Sequence, residues 1–294
     1  MRQMPARLIV NVRSGRAAEA LERVRAFATA RGAEVVLTER ARHACELAAE
    51  ALERGITTIV AVGGDGTLNE VASALVGRDA TLGLIPCGSG DGLGRCLGIH
   101  GSVEHALGIL DHGETRVIDT GTVNGQPFFT AAGLGFEAEI ATRFNRLQRR
   151  SFFRYLTTSA KAFREWKTAT YRVSHDGRSE TIAAFTLAVA NANQYGNNAR
   201  IAPAARPDDG LLDLTAVPAI TVLNAVPLVR GLFTGRLAGL RGIVMRQATQ
   251  FVVEPTVPAP FHTDGELHTA ASNLVFRVRP ASLRVLAPRG GCKI

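Results

Sequence analysis

Long apolar runs are missing from this sequence, and lysine is nearly so. No stretch of the 294 residues approaches the roughly 20 consecutive apolar residues that a membrane-spanning helix needs. The first residues run straight into an apolar strand pattern without signal-peptide architecture, so folding in the cytoplasm is the expectation. The four cysteines (Cys45, Cys87, Cys96 and Cys292) form no CxxC pair and have no histidine at metal-ligand spacing, which argues against a zinc site or a disulfide framework. His43, His175 and His262 show no paired spacing and read as surface or core residues. There is no GxSxG and no HExxH, so hydrolase chemistry has no foothold. Internal repeats, low-complexity segments and flexible linkers are also absent. Lysine occurs only at 161, 167 and 293, so the net charge of +8 and the pI of about 10.0 are almost entirely arginine. Such a charge suits an anionic membrane surface as partner, although an arginine-rich composition produces it without selection for binding. No nucleic-acid partner is expected.

What is present is an ordinary globular composition, 46% hydrophobic and 20% charged, on a chain long enough for two cores. Residues 7–12, 34–37, 57–62 and 81–85 are short apolar runs, the third rich in β-branched residues. Helical spacing of apolar residues separates them at 17–30, 42–54 and 68–76. Strands of this length alternating with helices predict right-handed βαβ units and a parallel sheet. After about 117 the texture changes. Segments 127–131, 170–175, 181–189, 211–217, 250–255 and 274–278 read as strands joined by Gly, Pro, Asn and Asp turns, with helices around 140–166 and 220–237. The expected fold class is therefore α/β plus all-β. An N-terminal parallel-sheet, nucleotide-binding domain spans 1–118 and is rejoined by 281–294, whose final strand is expected at 282–287. A β-sandwich spans 119–280.

The chemistry concentrates in Gly63-Gly64-Asp65-Gly66-Thr67-Leu68-Asn69-Glu70, between a strand and a helix. A chain that turns from a parallel strand directly into a helix presents free N–H groups, and glycines let phosphate come close to them. A carboxylate there would repel phosphate unless it holds Mg²⁺ or takes a proton from an attacking hydroxyl, so Asp65 reads as functional. A second glycine turn, Pro86-Cys87-Gly88-Ser89-Gly90-Asp91-Gly92, follows the next strand, and Asn11-Val12-Arg13-Ser14-Gly15 follows the first. Successive parallel strands open on one sheet edge, so all three turns can face one ligand.

These motifs resemble those of the diacylglycerol kinase catalytic family, which includes bacterial lipid kinases and the sphingosine and ceramide kinases. GGDGTLNEV at 63–71 and IPCGSGDGLGR at 85–95 carry the resemblance. Gly133-Leu134-Gly135-Phe136, the 202–210 stretch and Asp264-Gly265-Glu266 follow in the family's order over nearly the whole chain. The resemblance implies an ATP-dependent lipid kinase acting on a diacylglycerol, sphingoid or ceramide hydroxyl. Asn11, Ser14, Gly15, Thr38, Gly63, Gly64, Asp65, Gly66, Thr67, Leu68, Asn69 and Ser89 match its ATP positions. Asp65 and Glu266 match its catalytic carboxylates, one or the other acting as proton acceptor in different branches. Arg206, Asp209 and Leu211 match a structural Mg²⁺ site, with main-chain carbonyls from the flanking residues. Glu139 matches a headgroup-contacting position. NAD kinases share GGDGT and supply an alternative reading; a nucleotide- or lipid-binding regulator of weak activity is another. Two departures stand out: Val12 replaces the turn's usual proline, and Asp91 replaces the usual asparagine of the second turn.

A lipid acceptor remains in a bilayer, so transient docking to an anionic membrane surface at its cytoplasmic face is expected. The 143–154 segment, with five arginines and three phenylalanines, is the candidate anchor. Residues 223–245 space Arg230, Arg236 and Arg241 among Leu, Val and Phe and read as an ordinary helix with one buried stripe.

Overall fold

The computed structural model describes residues 5–136, 138, 168–221 and 223–290. The first part is the expected alternation: β1 (Ala6–Val10), α1 (Ala17–Arg31), β2 (Glu34–Leu37), α2 (His43–Glu53), β3 (Thr58–Gly63), α3 (Asp65–Leu75), β4 (Thr81–Pro86), α4 (Gly92–Cys96) and α5 (Val103–His112). Strands β2, β1, β3 and β4 lie parallel in that order, with β3 central and buried on both faces as its Ile, Val and Ala run requires. Helix α3 buries Leu68, Val71, Ala72 and Leu75, the i, i+3, i+4, i+7 stripe of a helix packed on a sheet.

The rest is strands with one described helix. β5 (Glu114–Val123) and β6 (Gln126–Phe128) are followed by β7 (Ala131–Gly135), β8 (Ala169–His175), β9 (Arg178–Ala184), β10 (Thr186–Ala190) and β11 (Leu212–Val217). Then come α6 (Ala225–Thr234), β12 (Val244–Ala248), β13 (Gln250–Pro255), β14 (Ala259–Thr263), β15 (Glu266–Ala271) and β16 (Leu274–Ala287). A six-stranded antiparallel sheet, β12-β11-β10-β7-β14-β15, packs against the antiparallel half of a ten-stranded sheet. Their shared core holds Phe128, Leu134, Tyr171, Leu214, Phe251 and Phe276, contributed from both sides. The other face of the six-stranded sheet is covered by α6 and the 201–205 loop.

Two expected segments resolve differently. Residues 181–189 are not one strand: β9 ends in the large sheet at Ala184, and after Phe185 the chain crosses to the small sheet as β10. Segments 274–278 and 282–287 are one strand, β16, paired antiparallel to β13 and β5 and parallel to β4. Residues 118 and 281 both lie inside continuous strands, so the parallel and sandwich parts share β5 and β16. The helix expected around 140–166 lies outside the described residues.

The β5–β16 register slips between Arg279 and Leu283, where Ala281 has φ 48°. Buried Asp119 faces this bulge. Its carboxylate accepts the Ala281 N–H at 2.7 Å and the Gly210 N–H at 2.7 Å, while its own N–H donates to Pro207 O at 2.6 Å. One side chain thereby holds the bend in β16 and the 207–210 turn. Asp119→Ala would leave both donors without their charged acceptor, at about 1.5–3 kcal/mol for each such bond. We expect a loss of about 3 kcal/mol or more in urea unfolding, and wild-type stability in this variant would contradict the role.

Candidate functional site

The three glycine turns converge at the carboxyl edge of the parallel strands, as expected, and they are bonded to one another. Ser14 Oγ accepts the Gly64 N–H at 2.8 Å, Asn11 Nδ2 donates to Thr67 Oγ1 at 3.1 Å, and the Arg16 N–H donates to Cys87 O at 2.9 Å. Gly15 adopts φ 50°, and a Cβ there would collide with the Cys87 carbonyl, so the turns at 11–15 and 86–92 can meet only at a glycine.

Asp65 is the first residue of α3 rather than part of the preceding loop. Gly64 caps the helix without a side chain, and the Leu68 N–H is the first to reach back to Gly64 O. The N–H groups of Asp65, Gly66 and Thr67 therefore precede the helical ladder and form an anion-seeking end. The Asp65 carboxylate reaches across to the other turn, accepting the Asp91 N–H and the Gly92 N–H at 3.0 Å each. It thus holds the start of α4, and a Cβ on Gly90 would stand 2.6 Å from its Oδ2.

Between these turns and the end of β2 lies a cleft of about 590 Å³, within the roughly 300–1,000 Å³ usual for small-molecule sites. Asn11, Ser14, Gly15, Thr38, Gly64, Asp65, Gly66, Thr67 and Ser89 line it. The other matched positions do not: Gly63 closes β3, Leu68 is buried in the core, and Asn69 lies off the cleft wall on α3. The cleft also has Arg13, Arg40 and Glu70 on its wall, which sequence reasoning passed over. Glu70 stood inside the quoted motif. Its carboxylate accepts the N–H groups of Arg42 and Ala44 at 3.0 Å each, capping α2 from another helix.

Within Asp264-Gly265-Glu266, the first two residues form a two-residue hairpin turn between β14 and β15, with φ 48° and 87° as a type I′ turn requires, and Glu266 opens β15. Asp264 rather than Glu266 is the member tied into the fold. Its carboxylate accepts the N–H groups of Phe129, Thr130 and Ala131 at 2.7, 2.9 and 2.9 Å. Burial pushes its pKa up to about 6 against those three donations, and the nearby Asp65 charge adds to the rise. Glu266 is exposed at the start of β15 and does not line the cleft. His262, read from the sequence as a surface or core residue, is buried, and the Tyr195 phenol oxygen lies 2.8 Å from its Nε2 beside this turn.

Asp209, Arg206 and Leu211 sit on the turn that Asp119 holds. Asp209 Oδ1 accepts the Leu211 N–H at 3.0 Å, and the Arg206 guanidinium pairs with Asp208 at 3.1 Å. Burial, followed by the charges of Asp119 and Asp208, raises the Asp209 pKa. No group of three or more His, Cys, Asp or Glu suited to a metal occurs among the described residues. One free carboxylate oxygen at Asp209 with neighbouring main-chain carbonyls is an all-oxygen set. That fits a hard cation such as Mg²⁺ provided water completes the shell. Glu139 and the 143–154 segment lie outside the described residues.

With this geometry the comparisons with known proteins agree. Residues 5–123 match the family profile described as diacylglycerol kinase catalytic domain, and residues 130–287 match the YegS C-terminal NAD kinase beta sandwich-like domain. The chain belongs to the YegS-like diacylglycerol kinase family. A Pseudomonas fluorescens member named probable lipid kinase YegS-like is 33% identical over 277 residues, covering 91% of each chain. A Mycobacterium tuberculosis diacylglycerol kinase is 31% identical over 260 residues, covering 85% of this chain and 82% of its own. In fold, the chain resembles a Bacillus anthracis diacylglycerol kinase structure with TM-score 0.75 at 18% identity, covering 99% and 100% of the two chains. It also resembles an Archaeoglobus fulgidus NAD kinase solved with ATP, with TM-score 0.58 at 14% identity, covering 97% and 94%.

Asp91, at the position where the resemblance leads one to expect asparagine, tests how the site tolerates charge. It adopts φ 48°, and its Oδ1 accepts the Gly88 N–H at 3.2 Å, a role an amide oxygen fills equally well. Burial, and then the Asp65 charge, push its pKa from 3.8 up to about 6. Between those values the folded chain keeps a proton that the unfolded chain has released, so this group's contribution to stability falls as pH rises through the window. We expect Asp91→Asn to be more stable than wild type near neutral pH, with the difference shrinking as pH is lowered through about 6 toward 3.8. Urea unfolding across pH measures this, and parallel profiles for the two proteins would exclude it.

Proposed function

We propose that this family member transfers the γ-phosphoryl group of ATP to a hydroxyl of a membrane lipid, of the diacylglycerol or sphingoid and ceramide kind. The single observation that carries this reading is the cradle itself: three strand-end turns bonded to one another around Asp65, at the open start of α3. Asn11, Ser14, Gly15, Thr38, Gly64, Gly66, Thr67 and Ser89 then hold the nucleotide, with its phosphates on the α3 N-terminus. The lipid oxygen attacks the γ-phosphorus, the bond to the β-phosphate oxygen breaks, ADP departs, and the hydroxyl proton passes to a carboxylate. Asp65 has lone pairs beyond the two bonds it already accepts and stands at the phosphate end of the cleft. Glu266 enters the reading through the family match, and in this structure it is exposed at the start of β15, outside the cleft lining.

Mg²⁺ supplied with the nucleotide offsets phosphate charge, and Asp209 with the carbonyls of Arg206 and Leu211 would hold a structural ion. The fold likeness to NAD kinase keeps one alternative open, a small-molecule kinase using the same turn. No described helix is long and apolar enough to cross a membrane, and a lipid acceptor requires the protein to dock on the bilayer, which in this reading it does from the cytoplasmic side.

Purified protein with labelled Mg²⁺-ATP should phosphorylate one or more lipid alcohols in mixed micelles and leave NAD untouched. Label in NAD alone would replace the reading with the small-molecule kinase. Loss of the general base typically lowers rate by about 10²–10⁴-fold. Asp65→Asn and Glu266→Gln therefore separate the two carboxylates. We expect the larger loss at Asp65, because its amide also turns a donor toward the Asp91 or Gly92 N–H. Turnover like wild type in folded Asp65→Asn would remove Asp65 from the chemistry.

A further inference from the structure

Helix α6 turns much of its apolar surface outward. Leu223, just before the helix, is 91% exposed, and Val226, Val229 and Phe233 are 74%, 56% and 54% exposed. Their spacing places them along one side of the helix. Leu228 and Gly231 face the other way, into the cluster with Ile201, Ala202 and Leu237. The single buried stripe expected for 223–245 is therefore two stripes, one buried and one bare. A lone exposed leucine is unremarked on any protein, but a contiguous row on an anchored helix marks an interaction surface.

The charge around this row has one sign. No Asp or Glu occurs between Asp213 and Glu254, a stretch that carries Arg230, Arg236, Arg241 and Arg246. Arg246 pairs with Glu180, whereas Arg230, Arg236 and Arg241 are exposed and make no ion pair among the described residues. The row also lies one short loop from the nucleotide turn. The Arg200 N–H donates to Leu232 O at 2.8 Å, while Asn198 Oδ1 accepts from Arg95 at 3.1 Å and the Asn197 N–H reaches Gly90 O at 3.4 Å. Gly90 lines the cleft.

We propose that the outer side of α6, with Leu223, is where the protein seats itself on an anionic lipid bilayer. The apolar row enters the interface, and Arg230, Arg236 and Arg241 meet headgroup phosphates. The proposal deepens the lipid-kinase reading and rests on it for the choice of partner. It gives the docking role to a surface that the sequence pattern had left as an ordinary helix. The 195–200 loop then links the seated helix to the turn that holds phosphate.

The test is sedimentation, without nucleotide, against vesicles of phosphatidylcholine alone and vesicles with phosphatidylglycerol added. Wild type should bind the mixed vesicles, and added salt should weaken that binding. Val226→Ser/Phe233→Ser, both at exposed positions, should retain the wild-type melting profile and bind about tenfold more weakly or worse, given the apolar area withdrawn. Arg230→Gln, Arg236→Gln and Arg241→Gln should each cost about fivefold on the anionic vesicles only. Phosphorylation of dispersed short-chain diacylglycerol should be equal in wild type and the double variant. Equal vesicle binding by wild type and Val226→Ser/Phe233→Ser overturns the proposal. So does a wild-type dimer that the double variant abolishes while vesicle binding is unchanged, which would assign the row to a second copy. A wild type that binds vesicles through α6 but phosphorylates no lipid alcohol upholds the docking surface and removes the lipid-kinase reading.

Discussion

The ladder between β5 and β16 is the constraint on which the rest of the molecule depends. β16 pairs antiparallel with β5 along most of its length and parallel with β4 near its end, so one strand belongs to the parallel sheet and to the sandwich at once. Such a strand must bend, and a bend in a ladder leaves unpaired N–H groups that are costly when buried. Asp119 resolves this by accepting the Ala281 N–H at the bulge and the Gly210 N–H of the adjoining turn. The glycine turns of the first sheet and the Asp264 hairpin of the second sheet are held in a common frame because β5 and β16 run on through both parts.

A second theme is the use of carboxylates as acceptors for backbone N–H groups where turns meet. Asp65 holds the start of α4, Glu70 caps α2, Asp264 gathers three N–H groups from Phe129 to the start of β7, and Asp91 closes its own turn on Gly88. A charged acceptor makes these bonds stronger than neutral ones, which suits glycine turns that have little side-chain packing of their own. It also gathers negative charge next to the open N-terminus of α3, an anion-seeking end. The raised pKa values of Asp91 and Asp264, both at about 6, are the electrostatic consequence. In the proposed reading, a nucleotide would rely on the α3 N-terminus, cleft arginines such as Arg13 and a divalent cation to offset that charge.

The outer side of α6 shows a different balance. Its inner face obeys the ordinary rule of burial against a core, while the bare row and the acid-free stretch around it make sense only with a partner present. On the proposed reading, a kinase whose acceptor stays in a bilayer has such a partner, and the 195–200 loop bonds both to Leu232 of α6 and to Gly90 of the cleft.

Much of the first sheet could be read directly from the chain, because strand and helix periods there are local properties of ten or so residues. The three glycine turns and Asp65 followed from where parallel strands end, while the individual ATP positions came only from the family resemblance, whose motifs extend over nearly the whole length. What the sequence could not decide was anything set by partners far apart in the chain. The run at 181–189 has the composition of one strand, and only the competition between two sheets divides it at Phe185. Segments 274–278 and 282–287 look like two strands, and only pairing with β5 and β4 makes them one. In the late motif, Glu266 drew attention by its match, yet Asp264 is the residue bound into the fold, because its three donors come from more than 130 positions earlier. Likewise the helical spacing around 225–234 announces an apolar face but not which apolar residues remain bare. That is decided by how much of the helix the 201–205 loop and Leu237 can cover, a matter of packing geometry that no local pattern records.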